Sequence, residues 1–459
     1  MSTSFDVKLW DPTKRKDRKK RPWRLRWSVA AVEQSVQFET KAAADSRKAE
    51  FKIALNRGEP FDIETGLPVS ELRELQRQRR TISCLELMKR FADSKWENAS
   101  AHHRANIAEV CMWASIALLP AVPDSVDGVA VRRSLRRWAF NYKQRHDAPV
   151  EAVEALKWVE SHIPSAAVFE DARKVETTLA AMQQKFDGKT RSSHCRKRAR
   201  TILSAVCDFA VKEGLLDVNH VKAIKPERVK TSESVDVRRV ANPQQVERFL
   251  GNVRRRKPNG WRYVPYFAVQ GYGALRPEEA IALHAEDLDL PKKGGWGRLH
   301  LHKSASHVGS AWTDSGEVRD DRGLKQRDRE FIRTAPCPPQ LTAILADYLK
   351  ESGFKPGPEG QLFVRADGEL LAECTVRRVF HDARGETFGK NELKTPLLKR
   401  PYDLRHTCVS TWLHAGVPVT QVAEWAGHSV AVLLRIYAKC LDGQDEAVRM
   451  RIEKTLTGG

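Results

Sequence analysis

Two stretches, RPYDLRHTCVSTWLHAG at 400–416 and VTQVAEWAGHSVAVLLRIYAKCL at 419–441, decide how the C-terminal half of this chain is read. In the first, Leu404, Cys408, Thr411, Trp412 and Ala415 recur at helical spacing, and Gly416 ends the run. The spacing predicts one helix with Arg405 and His406 in its opening turn. In the second, Val419, Val422, Ala423 and Ala426 form a short apolar stripe stopped by Gly427. Ser429 then offers a capping hydroxyl for a further helix carrying Val432, Leu433, Ile436 and Cys440. Tyr437 falls beside that apolar face, nine residues beyond His428. Taken alone, a tyrosine at such a position reads as core packing.

A third stretch, GYGALRPEEAIALHAEDLDL at 271–290, changes that reading. Arg276 follows a glycine-containing turn and precedes a helix opened by Pro277, with Glu279 one turn further on as a partner able to orient the guanidinium. From such a rigid element the planar fork of arginine can hold two oxygens of one phosphate. Two arginines, a histidine and a tyrosine in this order suit phosphoryl transfer in which fixed cations meet the developing charge. A phenol with a free pKa near ~10 is a weak nucleophile and needs that electrophilic setting. The ester it forms keeps the energy of the broken bond, so strands can be rejoined without ATP. No GxxxxGK[ST] loop is present, and Glu286, Asp287 and Asp289 read as the solvated end of a helix. No metal or other cofactor is therefore expected.

The chain has 459 residues and a formal net charge of +20, enough length for two to four domains. Such an excess of Lys and Arg favours a polyanionic partner, because each neutralised phosphate releases condensed counterions. Membrane surfaces are anionic too, but no apolar run approaches the roughly 18–20 residues that a spanning helix needs. The opening MSTSFDVKLWDPTKRKDRKK has no apolar core after its charges and does not read as a secretory signal. The eight cysteines are scattered without a CxxC, against zinc or a disulfide framework and in keeping with a reducing cytosol. The expectation is a cytoplasmic protein that binds nucleic acid and not membrane.

Upstream, Trp23, Leu25, Trp27 and Val29 alternate with Arg24, Arg26 and Ser28, the pattern of a half-buried strand. Thr40 is placed to cap a helix running to about Asn56, and GEPFDIETGLP at 58–68 reads as a linker. Arg24 and Arg26 would face outward as a DNA-reading surface. From about 80 to 225 the pattern is helical, with Ala199, Ile202, Leu203, Val206, Phe209 and Ala210 on one stripe and Gly214 as a stop. Arg191, Arg196, Lys197, Arg198 and Arg200 crowd the start of that helix, where cations oppose the macrodipole. Contact with phosphates accounts for them; a solvated face is the competing reading. Residues 226–243 read as a second linker, followed by a helix from Pro243 and short strands near 298–303, 316–325 and 329–335. The class is α+β, mostly helical: a small sheet-plus-helix domain over 1–75, a helical domain over 80–228 and a mixed domain over 240–459.

The segments ALRPEEA, YDLRHT, GHS and RIYAKC resemble the motif boxes of the tyrosine recombinase, or phage integrase, family. The layout before them is similar to the long form of that family, which carries an N-terminal arm-type DNA-binding domain, a helical core-binding domain and a catalytic domain. The resemblance covers nearly the whole chain and is strongest in 270–280 and 400–440. It implies that Arg276 and Arg405 clamp the scissile phosphate, that His428 hydrogen-bonds a phosphate oxygen and that Tyr437 is the nucleophile. It implies further that Lys325, in the hairpin-like GLKQRDREFIRTAPCPP, protonates the leaving 5′ oxygen, with Lys303 as a rival one strand earlier. One position departs from the family: Tyr402 stands where His, or sometimes Lys, is usual, giving Y-x-x-R for H-x-x-R. A phenol can donate to a phosphate oxygen but brings no positive charge, so Tyr402 reads as a substitute assistant with His406 as a buried group behind it. The implied protein is an integrase acting on double-stranded DNA attachment sites through a 3′-phosphotyrosyl intermediate, integrating or excising a mobile element. A homotetramer on DNA, an accessory DNA-bending or directionality protein, and docking of the segment after Leu441 on a neighbouring protomer belong to the same expectation. A DNA topoisomerase using this chemistry, and a non-catalytic DNA-binding regulator on this fold, remain as alternatives.

Overall fold

The computed structural model describes residues 2–15, 21–72, 82–124, 126–225, 234–324, 332–441 and 445–457. The chain divides into two compact units, Met1–Ala99 with Arg104–Arg228, and Ser100–His103 with Val229–Gly459. Helices dominate both, and the class is α+β as expected.

The first unit opens with an antiparallel sheet of β1 (Val7–Leu9), β2 (Thr13–Lys14), β3 (Trp23–Val29) and β4 (Val32–Phe38), in which β3 pairs with the other three. Leu25, Trp27 and Val29 of β3 are buried, as the alternation predicts, against Phe51 and Phe61. Phe51 lies on α1 (Lys41–Asn56), whose first turn is held by the Thr40 hydroxyl accepting from the Ala43 N–H at 3.2 Å. The stretch at 58–68 is not a linker: Phe61 is buried and the Trp27 indole N–H donates to the Gly66 carbonyl at 2.6 Å. Gly66 sits at φ +71, and a Cβ there would collide with the Gln34 and Trp27 side chains. Its turn-forming residues build a packed turn beneath an indole that needs an acceptor. The unit's helices include α2 (Cys84–Lys95), α3 (Ala101–Leu118, which belongs to this unit from Arg104 on), α4 (Val150–His162), α5 (Ala172–Met182) and α6 (Ser193–Lys212). On α6 the stripe from Ala199 to Ala210 faces inward, and Gly214 follows at φ +68.

In the second unit α7 (Pro243–Arg255) starts on a capping box made by Asn242 and Gln245. It is followed by α8 (Val264–Gly273) and α9 (Pro277–Ile281). Phe249, Phe267 and Phe380 meet at centroid distances of 5.1–5.8 Å. Each such buried ring contributes roughly 1.5–3 kcal/mol. The single strand expected near 298–303 breaks at His302 into β5 (Gly297–Leu301) and β6 (Lys303–His307), which belong to different sheets. β6 pairs with β7 (Arg319–Gly323), while β5 pairs with β8 (Arg333–Cys337). Then come α10 (Pro339–Lys350), α11 (Glu373–Thr387), α12 (Asp403–His414), α13 (Val419–Ala426), α14 (Val430–Leu441) and α15 (Asp445–Leu456). Helices α12 to α14 share an apolar cluster that includes Cys408, Trp412, Val422, Ala426, Leu433 and Tyr437. Val235, within the second expected linker, also joins it and donates its N–H to the Ile436 carbonyl at 2.7 Å. Among the described residues no helix is long and apolar enough to cross a membrane.

Candidate active site

A turn and two helix starts bring Arg276, Arg405 and His428 together. α8 ends on Ala274 in the left-handed conformation at φ 53, which redirects the chain so that Arg276 stands extended just before Pro277. Glu279 then does two things. Its Oε2 accepts the Arg276 backbone N–H at 2.8 Å, capping α9, and its Oε1 accepts from Arg276 Nη1 at 2.6 Å. Arg276 Nη2 donates to the Gly427 carbonyl at 2.7 Å. Arg405, in the first turn of α12, is fully buried; it donates to the carbonyls of Ala274 and Ala426, and its Nη2 lies 2.9 Å from His428 Nε2. Arg405 Nε has no partner among the described residues.

A third guanidinium, which the sequence reading did not single out, completes the cluster. Arg333 opens β8 and clasps Glu279 with both ends of its fork, at 2.7 and 3.0 Å, while reaching the Ala426 carbonyl at 3.3 Å. The available signal was its phase: Arg333, Ala335 and Cys337 lie on one face of the strand and all three are buried. A charge on the inward face of a strand needs a buried partner. Gly427 makes room for it, because a Cβ at that position, already at φ +64, would overlap Arg333 Nη1.

Three arginines against one carboxylate leave the cluster net positive. Burial favours the neutral acid of Glu279, but Arg333, Arg276 and Arg405 together outweigh it and draw the pKa down to about 2. For Arg276, burial opposes the charge, and Glu279, with smaller help from Tyr402 and Glu278, more than offsets it. His428 falls to about 3, through burial first and then Arg405, Arg276 and Arg333, so its ring is neutral. Since Arg405 donates to Nε2, the ring proton belongs on Nδ1, and Nδ1 has no partner among the described residues. The cluster thus holds a buried imidazole N–H and a buried guanidinium N–H without hydrogen-bond partners among the described residues.

Tyr437, on α14, is wholly buried, and its hydroxyl lies 2.8 Å from His406 Nδ1. The ring sits beside two imidazoles, with centroids 5.6 Å from His406 and 6.2 Å from His428. Burial, followed by Arg405, Arg400 and Arg239, lowers the His406 pKa to about 4. Tyr402, half-buried at the start of α12, meets His406 edge-on at 5.1 Å. Lys325 lies outside the described residues; Lys303 is exposed at the start of β6. Among the described residues no group of three His, Cys, Asp or Glu side chains is placed to hold a metal ion.

The basic residues expected on DNA lie in the first unit. On β3, Arg24 donates to the Ser35 hydroxyl at 3.1 Å and Arg26 stacks 5.3 Å from the Trp10 ring. Around α6, Arg191 lies 3.8 Å from the Trp113 ring centroid and Arg196 reaches Gln183 at 3.3 Å. Arg198 binds Glu109 and Asn106, both at 2.7 Å, and Arg200 donates to the carbonyls of Val221 and Ile224. Lys197 is exposed.

Residues 239–443 match the phage integrase family. An integrase of Streptomyces ambofaciens is 29% identical over 126 residues, spanning 26% of this chain and only 31% of that protein. A putative integrase/recombinase of Sinorhizobium fredii is 25% identical over 299 residues, 64% of this chain and 80% of that one. Among solved structures, the Tn1549 transposon integrase in complex with transposon right end DNA superposes with a TM-score of 0.48 at 16% identity, over 71% of this chain and 99% of that one.

Proposed function

We propose that this chain, a tyrosine recombinase of the phage integrase family, cuts and rejoins DNA at specific sites through a covalent bond between Tyr437 and a backbone phosphate. The observation that carries the reading is the convergence of Arg276, Arg405 and His428 beside the Tyr437 helix. A phosphodiester seated there meets fixed cations and the unused N–H groups of His428 and Arg405. That preorganised field supports the extra negative charge that builds as the phenol oxygen attacks. A 3′-phosphotyrosyl intermediate then holds one strand until a partner strand's 5′ hydroxyl displaces the tyrosine. Lys325 is the candidate to protonate the leaving 5′ oxygen, and Tyr402 to assist at the phosphate.

In this reading residues 1–75 bind arm-type sites through a face bearing Arg24 and Arg26. Residues 80–228 grip the core site with Arg191, Arg196, Lys197, Arg198 and Arg200 as contact candidates, and 240–459 perform the chemistry. The partners are double-stranded attachment sites, further copies of the chain in a tetramer, and an accessory bending or directionality protein. The task is integration or excision of a mobile element in the cytoplasm.

A nicked suicide duplex tests it. Wild type should form an SDS-resistant adduct, and Tyr437→Phe should bind the duplex but form none. An adduct persisting in Tyr437→Phe would sink the assignment. Adduct formation accompanied by sequence-independent relaxation of supercoiled DNA would favour a topoisomerase, and DNA binding without any adduct a regulator.

A further inference from the structure

We infer that His406, rather than Tyr402, is the group that takes the proton from Tyr437 during strand cleavage. This rests on the reading of Tyr437 as nucleophile and adds the fate of its proton. The hydroxyl is buried, so bulk water does not reach it directly, and His406 Nδ1 lies 2.8 Å away. With the ring neutral and its proton on Nε2, Nδ1 accepts the phenolic hydrogen bond. Tyr402 meets the face or edge of the same imidazole and makes no hydrogen bond to Tyr437 among the described residues. A neutral phenol oxygen is a far weaker proton acceptor than the free nitrogen of a neutral imidazole. The ring of Tyr402 is instead a wall against which His406 is held.

The surroundings explain why the base is quiet before DNA arrives. His406 is flanked by Arg405 and Arg400 from its own helix region, Arg239 from the turn at Val237–Arg239, and the rings of Tyr402, Tyr437 and, beyond Tyr437, His428. Burial, with the cationic neighbours adding to it, keeps the ring unprotonated. A phosphate docked on Arg405 cancels part of that field and makes the imidazole a stronger base at the moment it is needed. The step balances simply. The Oη–P bond forms, the P–O5′ bond breaks, the phenolic proton passes to His406 Nδ1, and the leaving 5′ oxygen receives a proton from a separate acid. In rejoining, the 5′ hydroxyl attacks and gives its proton back to that separate group, the Oη–P bond breaks, and His406 returns its proton to the departing phenolate.

Two suicide duplexes separate this role from the others: one with the ordinary phosphodiester and one with sulfur as the 5′ bridging atom, whose thiolate leaves without needing a proton. His406→Ala should bind DNA with wild-type affinity yet form adduct about 10²–10⁴-fold more slowly. The sulfur substrate should not restore the rate, whereas raised pH or added imidazole should restore part of it. Tyr402→Phe, which keeps the packing ring, should lose much less than His406→Ala. Restoration of His406→Ala by the sulfur substrate would move His406 to the leaving-group side and overturn the inference, as would a larger loss in Tyr402→Phe. If His406→Ala fails to fold, His406→Asn, close in size, serves with the same expectations. Tyr437→Phe run alongside keeps the two ideas apart: an adduct there refutes the nucleophile, whatever His406 does.

Discussion

The two arginine-rich regions of this molecule are built on opposite plans. At 191–200 five cations crowd within ten residues, yet the arginines of that run are engaged inside their own unit, by Glu109 and Asn106, by backbone carbonyls, by Gln183 and by the face of Trp113. The second group, Arg276, Arg333 and Arg405, is spread over about 130 positions and arrives from a helix start, a strand and another helix start. There the guanidiniums share one carboxylate and point at one place. Density along a chain makes a basic surface; convergence from separate elements makes a field. Only the latter is strong in a low-dielectric setting, where a charge interacts far more strongly than in water.

The widest gap between the regions should open at Arg405. Arg405→Gln should lower adduct formation by on the order of 10²–10³-fold while DNA binding persists. A loss of less than tenfold would place the chemistry elsewhere. Next comes Arg333→Met, which leaves Glu279 short of its bidentate partner. Breaking a buried pair typically costs about 3–5 kcal/mol, read from the urea midpoint. Adding Glu279→Gln should recover part of that loss, since the carboxylate is then no longer an orphaned charge. Acid should weaken the second unit in two stages. Histidines of the unfolded chain take up protons below about pH 6.5, whereas His406 and His428 stay neutral in the fold until about 4 and 3. Their contribution is therefore intact above 6.5 and is lost as the pH falls toward those lower values. Glu279, held near 2, adds its own loss only below its ordinary 4.5. His406→Phe should shrink the first stage of the urea midpoint against pH to the share of His428 and leave the second. The smallest effect belongs to the first region: Lys197→Ala should reduce the salt slope of DNA binding by about one and leave stability unchanged. An unchanged slope would make that exposed lysine a bystander.

Legibility followed the same division. The places of Arg276, Arg405, His428 and Tyr437 were legible because each stands beside a helix start, a glycine stop or an apolar stripe, whereas the roles expected of them came from the resemblance to the family's motif boxes. Arg333 was not legible, since its meaning depends on the partner across the site and on which face of β8 is covered. The Tyr437 contact with His406 was likewise invisible: it exists because α12 and α14 pack together, and their residues are 31 positions apart. The stretch at 58–68 shows the converse error, in that turn-forming residues mark a change of direction without saying whether the turn is packed. At 298–303 the expected strand was there, but the sequence could not reveal that His302 parts two sheets.

Gly427 has a consequence for how this site can change over generations. Its missing side chain is occupied space, filled by the guanidinium of Arg333. Substitutions at the two positions would therefore be accepted in only one order: a smaller residue at 333 opens the way for a side chain at 427, whereas the reverse route passes through a clash. The glycine and the arginine behave as a single hereditary unit, although neither motif nor proximity in the chain joins them.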